Sequence, residues 1–91
     1  MGVAQKLLER MQRTKLGWGE SDFDSLYRGF GFEVREGGSH RVYIHSRFRD
    51  IRATVSRHRS LPPGYAQDAV SKIHELQQRL AQLEQEQSND E

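Results

Sequence analysis

Arginine is concentrated in one stretch of the sequence. Six arginines and no lysine lie between residues 41 and 59, where Asp50 is the only acidic residue. They are Arg41, Arg47, Arg49, Arg52, Arg57 and Arg59. Because the planar guanidinium group pairs bidentately with phosphate oxygens, this composition predicts a surface that binds nucleic acid. Two alternatives stay open: a solvated arginine-rich sheet, or a patch that docks an acidic protein.

His40 is the best candidate for acid–base chemistry. It follows two glycines and Ser39, and the arginine-rich stretch begins directly after it. An imidazole exchanges a proton near neutral pH, with an unperturbed pKa of about 6.5. Glycine lets a phosphate approach the backbone closely, and the amides of Gly38 and Ser39 could help to hold an oxyanion. A histidine beside a turn is also commonly an ordinary exposed residue, so spacing alone does not establish catalysis.

The other three histidines have different expected roles. His45 lies five residues beyond His40 on the same predicted strand, so the two side chains should point to opposite faces. This argues against a shared metal site or a simple acid–base pair, and it puts His45 beside Tyr43 on a basic face. His58 lies between two arginines, where it could contact phosphate. His74 lies among core positions of the last helix, which predicts a structural role.

Several enzyme classes find no support in the sequence. No cysteine is present, which excludes a disulfide scaffold, a thiolate nucleophile and sulfur-ligated zinc. The sequence has no carboxylate pair, Ser-His-Asp order, phosphate-binding loop or dinucleotide-binding turn. We therefore expect neither a metal nor a cofactor.

Length and composition predict one small folded unit. Ninety-one residues with 34% hydrophobic content suffice for one compact core and a tail. The net charge of +1 is unevenly distributed, because residues 1–60 carry 12 Lys and Arg against 7 Asp and Glu (+5), and residues 61–91 carry 2 against 6 (−4). No signal-like, lipidation or membrane-spanning stretch is recognisable, which predicts a soluble, cytoplasmic protein.

Three segments have helical spacing. The first covers residues 3–11, and an irregular linker with two glycines around a tryptophan follows at residues 14–20. The second has Ser21 as its N-cap and ends near Gly31, which suits the left-handed C-cap position. The third begins near Tyr65, after a proline-rich breaker. Its apolar positions are Ala69, Val70, Ile73, Leu76, Leu80 and Leu83.

Between the second and third helices the apolar period changes to two, which predicts three strands. The first two form a β-hairpin around a connection at residues 36–39. The expected apolar face consists of Phe32, Val34, Val42, Ile44, Ile51, Ala53 and Val55. The opposite face is then polar and basic and includes Arg41, Tyr43, His45 and Arg52.

The last helix is apolar only in its first half. Beyond Leu76 it becomes rich in Gln and Glu, so the first half can pack on the sheet while the second half projects. Leu76, Leu80 and Leu83 could form a short coiled-coil seam. A solvated helix end explains the same pattern equally well, because two leucine steps fall short of the roughly three or four heptads typical of a coiled coil.

These elements predict an α+β fold with the α-β-β-β-α order of a double-stranded-RNA-binding domain (dsRBD). We expect a three-stranded antiparallel sheet with helices on one face, an N-terminal helical extension and a long C-terminal helix. Residues 30–34 (FGFEV), 38–43 (GSHRVY) and 55–58 (VSRH), followed by a prolyl link, make the comparison more specific. In a chain of this size they resemble the HicA family of toxin–antitoxin toxins over about residues 23–76.

The resemblance implies an mRNA interferase: a metal-independent endoribonuclease that cleaves mRNA in a stress response and is neutralised by an acidic HicB-like antitoxin. The histidine of the Gly-Ser-His motif is essential in that family, and it maps onto His40. RNA contacts are then expected at Gly38, Ser39, Arg41, Tyr43, Arg52, Arg57, His58 and Arg59. The alternative is a non-catalytic module on the same fold that binds RNA or a protein.

The chain divides on this basis into three parts. Residues 1–20 form an N-terminal helical extension and linker, residues 21–80 form the HicA-like domain, and residues 81–91 form a polar tail. The two flanking parts depart from short family members. Arg41 is a further departure, because many relatives carry a histidine or a similar polar residue at that position.

Overall fold

A computed structural model describes residues 2–89 of the chain. Its elements are α1 (Val3–Arg13), α2 (Glu20–Gly29), β1 (Phe32–Gly37), β2 (His40–His45), β3 (Arg52–Ser56) and α3 (Pro63–Asn89). The predicted α+β class, the three-stranded antiparallel sheet and the long C-terminal helix are confirmed. No helix within residues 2–89 combines the length and the apolar character needed to cross a bilayer.

The hairpin between β1 and β2 is tight. Gly37 pairs with His40, so the chain reverses through Gly38 and Ser39 alone. The strand order is β1-β2-β3, and both pairings are antiparallel. β2 is therefore the central strand, and β1 and β3 are the edges of the sheet.

The prediction for the two faces of β2 is wrong. Tyr43 lies opposite Val34 on one side and Ala53 on the other, so these three side chains share the face that the helices cover. Val42 and Ile44 consequently lie on the other, open face of the sheet, where Val42 is half-buried and Ile44 is only 5% exposed. The two-residue turn fixes the phase of β2, that is, which of its side chains face the helices. A shift of one residue in the pairing would move every side chain of the strand to the other face.

The core lies between the sheet and a layer of helices. α2 and α3 pack on the same face of the sheet, and α1 packs against both helices. Core side chains from the helices are Leu7, Leu8, Met11, Phe23, Leu26, Tyr27, Ala66, Ala69, Ile73 and Leu76. The contribution of α1 is substantial, because Leu8 and Met11 are both buried in the same cluster as the sheet residues.

α2 begins two residues earlier than predicted. Gly19, rather than Ser21, is the N-cap, and its N–H donates a hydrogen bond of 2.9 Å to the carboxylate of Asp22. A Cβ at position 19 would overlap the backbone of Arg59, so the chain needs a glycine there. The other end of α2 confirms the prediction, because Gly31 adopts a left-handed φ of +91° directly after the helix.

α3 begins at Pro63, two residues before the expected start at Tyr65. Proline is well tolerated in the first turn of a helix, where its missing N–H would have no partner. The buried side chains of α3 end at Leu76, as the loss of apolar residues beyond it predicts. Leu80 is 38% exposed, so the last turns of α3 extend past the core.

Candidate active site at the hairpin end of the sheet

The hairpin turn and the end of β3 form one corner of the molecule. His40 is the first residue of β2 and pairs with Ser56, the last residue of β3. The N–H of Arg57 donates a hydrogen bond of 3.2 Å to the carbonyl oxygen of Ser39. The fold thereby brings residues 38–41 next to residues 56–59, and these two segments hold seven of the nine site residues that the sequence predicts.

His40 is exposed and has a hydroxyl as its neighbour. The Oγ of Ser39 lies 3.0 Å from Nδ1 of His40, and no partner of Nε2 is found among residues 2–89. If the hydroxyl accepts from Nδ1, Nε2 carries a lone pair and can take a proton. If the hydroxyl donates to Nδ1, a neutral ring carries its hydrogen on Nε2. The pair therefore suits proton exchange through Nε2.

The segment after β3 is held by the linker between α1 and α2. The N–H of Glu20 donates to the carbonyl oxygen of His58 at 2.9 Å, and the N–H of Leu61 donates to that of Trp18 at 2.8 Å. Trp18 is buried in the core, while the side chains of His58 and Arg59 stay exposed. The linker thus fixes the backbone that presents these two side chains, a role that its tryptophan between two glycines did not reveal.

Arg41 and Arg57 both contact Glu36 at this corner. Nε of Arg41 lies 3.2 Å from Oε1 of Glu36, and Nη2 of Arg57 pairs with Oε2 of the same carboxylate. We call Glu36, Arg41 and Arg57 the Glu36 cluster. Sequence reasoning missed Glu36, although a tight hairpin through Gly38 and Ser39 places it directly opposite Arg41.

Asp24 lies on the α2 side of the Glu36 cluster. Its carboxylate accepts hydrogen bonds from the hydroxyl of Tyr43 at 2.7 Å and from Nε of Arg28 at 2.9 Å, and Arg41 lies 3.7 Å away. Burial acts to raise the pKa of Asp24, but the hydrogen bonds and the nearby arginines outweigh it and lower the pKa. Asp24 therefore stays ionised and balances part of the positive charge of Arg41.

The expected RNA contact at Tyr43 is wrong. Tyr43 is fully buried on the helix-covered face, and its ring stacks on Tyr27 with the centroids 5.0 Å apart. Burial, with the hydrogen bond to Asp24, raises the pKa of Tyr43 to about 12. The reason is the phase of β2, which turns Tyr43 inward to join the sheet to α2.

Arg52 lies apart from the corner. It begins β3, four residues before Ser56, which separates the two by about 13 Å at ~3.3 Å per residue. Its guanidinium group donates to the carbonyl oxygen of Arg49 at 3.2 Å, and it lies opposite Ile44 on the open face. The structure does not bring Arg52 to His40.

His45, expected on the basic face, is a buried structural residue. Its Nε2 donates to the carbonyl oxygen of Phe30 at 3.2 Å, and its Nδ1 accepts from the backbone N–H groups of Arg47 and Phe48 at 3.1 Å. The ring packs edge-on against Phe32 and stacks on Phe48. Burial lowers the pKa of His45, which outweighs the opposite effect of the Phe30 carbonyl and keeps the ring neutral at neutral pH.

Two further expectations from the sequence concern a metal site and His74. Within residues 2–89, no group of three or more histidine and carboxylate side chains is placed to hold a metal ion. His74 is exposed on α3 and lies 2.8 Å from the amide of Gln12 on α1, so it links two helices.

No family model, curated protein or solved structure matches the chain.

Proposed function

We propose that this protein is a metal-independent endoribonuclease of the HicA type, with a dsRBD-like fold. It cleaves mRNA as the toxin of a toxin–antitoxin system and is neutralised by a HicB-like antitoxin. The observation that supports this best is the geometry of the corner: an exposed His40 with Ser39 on Nδ1, beside the backbone of Arg57.

The proposed chemistry is a transfer within the RNA chain. Nε2 of His40 takes the proton of a 2′-hydroxyl, and the 2′-oxygen forms a bond to the adjacent phosphorus. The bond from phosphorus to the 5′-oxygen breaks, and the leaving oxygen takes a proton from water, which yields a 2′,3′-cyclic phosphate and a 5′-hydroxyl. His58 and Arg59, exposed at the same corner, supply phosphate contacts that hold the strand in place.

His40→Ala tests this assignment. We expect cleavage of a labelled single-stranded RNA to fall at least about 100-fold in the presence of EDTA, because the variant lacks the group that takes the proton. Affinity for the RNA should change little, since one neutral substitution removes little phosphate contact. His74→Ala is the matched control, because it removes an exposed histidine of α3 that has no proposed role in the site, and it should retain cleavage. Cleavage by His40→Ala at the wild-type rate would overturn the assignment.

A non-catalytic binding module is the second candidate. It is favoured by the Glu36 cluster, in which two of the predicted phosphate contacts already pair with a carboxylate. A surface that exchanges one anion for another can bind a charged partner without any chemistry. Binding of RNA by the wild-type protein without cleavage, under conditions where the chain is folded, would support this candidate.

A further inference from the structure

We propose that the Glu36 cluster is a phosphate subsite in which the carboxylate of Glu36 holds the place of an RNA phosphate until the RNA displaces it. The inference rests on the proposed RNA binding. It adds a second point of contact for the strand, and it makes Glu36 an internal competitor that limits the affinity for RNA.

The arrangement of the two arginines is that of an anion site. Two guanidinium groups, one from β2 and one from the residue after β3, converge on the two oxygens of one carboxylate, with Arg41 on Oε1 and Arg57 on Oε2. A phosphate offers the same charge-assisted contacts with more oxygens to share between the two arginines. Asp24 also faces Arg41 but is shared with Arg28, so three arginines face two carboxylates and one positive charge remains in excess.

The hydrogen-bonding capacity of the cluster is only partly used. The Nε atoms of Arg41 and Arg57 are shielded from water, and neither has a well-aligned acceptor among the described residues. Buried donors without acceptors are uncommon and often mark a site where another group binds. A tetrahedral phosphate between the two arginines could accept from donors that the planar carboxylate leaves unused.

Of the two carboxylates near Arg41, Glu36 is the one that can leave. Its side chain is 54% exposed and lies at the end of edge strand β1, next to the turn. Exposed ion pairs contribute little to stability, so moving this carboxylate into water costs little. Asp24 is 26% exposed and is held by Tyr43 and Arg28, so it stays in place as a fixed support.

The cluster lies close to His40 but on the other face of the sheet. Successive residues of a strand point to opposite faces, so the side chains of His40 and Arg41 emerge on either side of the same corner. An RNA strand that passes over the turn can therefore place one phosphate at His40 and a neighbouring phosphate at the Glu36 cluster. The subsite would position the strand for cleavage without taking part in proton transfer.

Glu36→Gln tests the subsite, because it keeps the shape of the side chain and removes its charge. Binding of a labelled single-stranded RNA is measured by fluorescence anisotropy on the full chain carrying His40→Ala. We expect about three- to fivefold tighter binding at low salt, the range that loss of an exposed ion pair allows. The plot of log affinity against log salt concentration should become steeper by up to the amount expected for about one additional phosphate contact.

Glu33→Gln is the matched control. It lies on the same strand, changes the net charge by the same amount and is 62% exposed, but it sits near the other end of β1, 4.0 Å from Arg49. We expect it to leave the affinity and the salt slope unchanged. Weaker or unchanged binding by Glu36→Gln, or an equal gain in Glu33→Gln, would overturn the subsite.

Two further outcomes separate the hypotheses. If Glu36→Gln tightens binding of polyglutamate but not of RNA, the cluster serves an acidic protein, and the RNA subsite is wrong. The proposed ribonuclease fails on a different measurement, namely absence of RNA cleavage by the protein with His40 intact. Tighter RNA binding in Glu36→Gln without such cleavage would keep the subsite and reject the enzyme.

Discussion

The two ends of β2 carry the same residue type in opposite states. At the hairpin end, His40 is exposed and has a hydroxyl neighbour on one ring nitrogen. At the other end, His45 is 6% exposed, and both of its ring nitrogens bond to backbone groups. A histidine can exchange protons with a substrate only when a ring nitrogen is accessible, so of these two histidines only His40 is placed for such an exchange, and His45 serves the fold.

The surroundings of the two histidines differ in the same way. The turn after His45 is tied down, because the N–H of His45 donates to Ile51 at 3.0 Å and Arg79 of α3 makes two hydrogen bonds to Asp50 at 2.8 and 2.6 Å. At the hairpin end, the N–H of Arg57 donates to Ser39 and the ion pairs of the Glu36 cluster join β1 to the residues after β3, while the side chains of His40, His58 and Arg59 stay exposed. The two ends thus differ in their side chains: those at the His45 end are bonded to other parts of the fold, and His40, His58 and Arg59 at the hairpin end are exposed.

The largest effect expected to separate the two ends is on stability. His45→Ala removes a buried ring and leaves three backbone groups without their partners, which should lower the free energy of unfolding by about 2–4 kcal/mol. His40→Ala changes an exposed side chain and should stay within about 0.5 kcal/mol. Thermal unfolding of both variants measures the difference, and equal losses would contradict the comparison.

Glycines give a second, smaller contrast between the ends. Gly31 has a φ of +91°, and a Cβ there would lie 3.2 Å from Nε2 of His45. Gly31→Ala should therefore cost about 1–2 kcal/mol. A Cβ on Gly38 meets nothing within 4 Å, so Gly38→Ala should cost well under that. Urea denaturation checks the pair, and a cost at Gly38 as large as at Gly31 would show that the hairpin end is equally constrained.

These glycines also show what local sequence can and cannot predict. The conformation of Gly31 follows from its place at the end of an amphipathic helix, and that prediction is confirmed. The requirement for Gly19 comes from the backbone of Arg59, forty residues away, and no local pattern encodes it. Likewise, the N-cap is Gly19 rather than the predicted Ser21, because this tertiary contact fixes the backbone of the linker.

The phase of β2 was predictable from information in the sequence. Any hairpin loop with an even number of residues puts Tyr43 and His45 on the face of Phe32 and Val34, and both two- and four-residue connections do so. The preference for Val42 and Ile44 as core residues misled the prediction, because hydropathy ranks them above Tyr and His. Tyr43 faces the helices instead, because its ring stacks on Tyr27 and its hydroxyl bonds to Asp24.

The sequence predicted most residues of the candidate site but not the ion pairs between them. The sequence placed His40 after a glycine turn and grouped the arginines, and the fold brings most of those residues to one corner. It could not show that Arg41 and Arg57 share Glu36, because that contact needs the register of one hairpin and the end of a third strand. The catalytic role of His40 stays a prediction.

Just below pH 6.5, the pH dependence of stability should come from His45. Burial lowers the pKa of His45, so the unfolded chain binds a proton at a higher pH than the folded chain. Stability is then complete above about pH 6.5 and falls as the pH drops towards the lowered pKa, by at most ~1.4 kcal/mol per pH unit. Urea midpoints measured across this range should lose this decline in His45→Gln and keep it in His40→Ala; the reverse pattern would contradict the assignment.

The smallest effect expected is that of removing the end of α3. Truncation after Leu80 retains Arg79, which bonds to Asp50 and lies over the ring of Phe48 at the His45 end of the sheet. Truncation after Gln78 removes this contact as well and provides the matched comparison. The first truncation should shift the unfolding midpoint by less than about 5 °C, since ~1 kcal/mol corresponds to roughly 4–8 °C in a domain of this size. The second should lower the midpoint further and speed amide hydrogen exchange in the turn after His45, while the hairpin end keeps its exchange rates. A much larger shift from the first truncation would mean that residues beyond Leu80 pack against something, and the leucine seam of α3 would then be the surface to test.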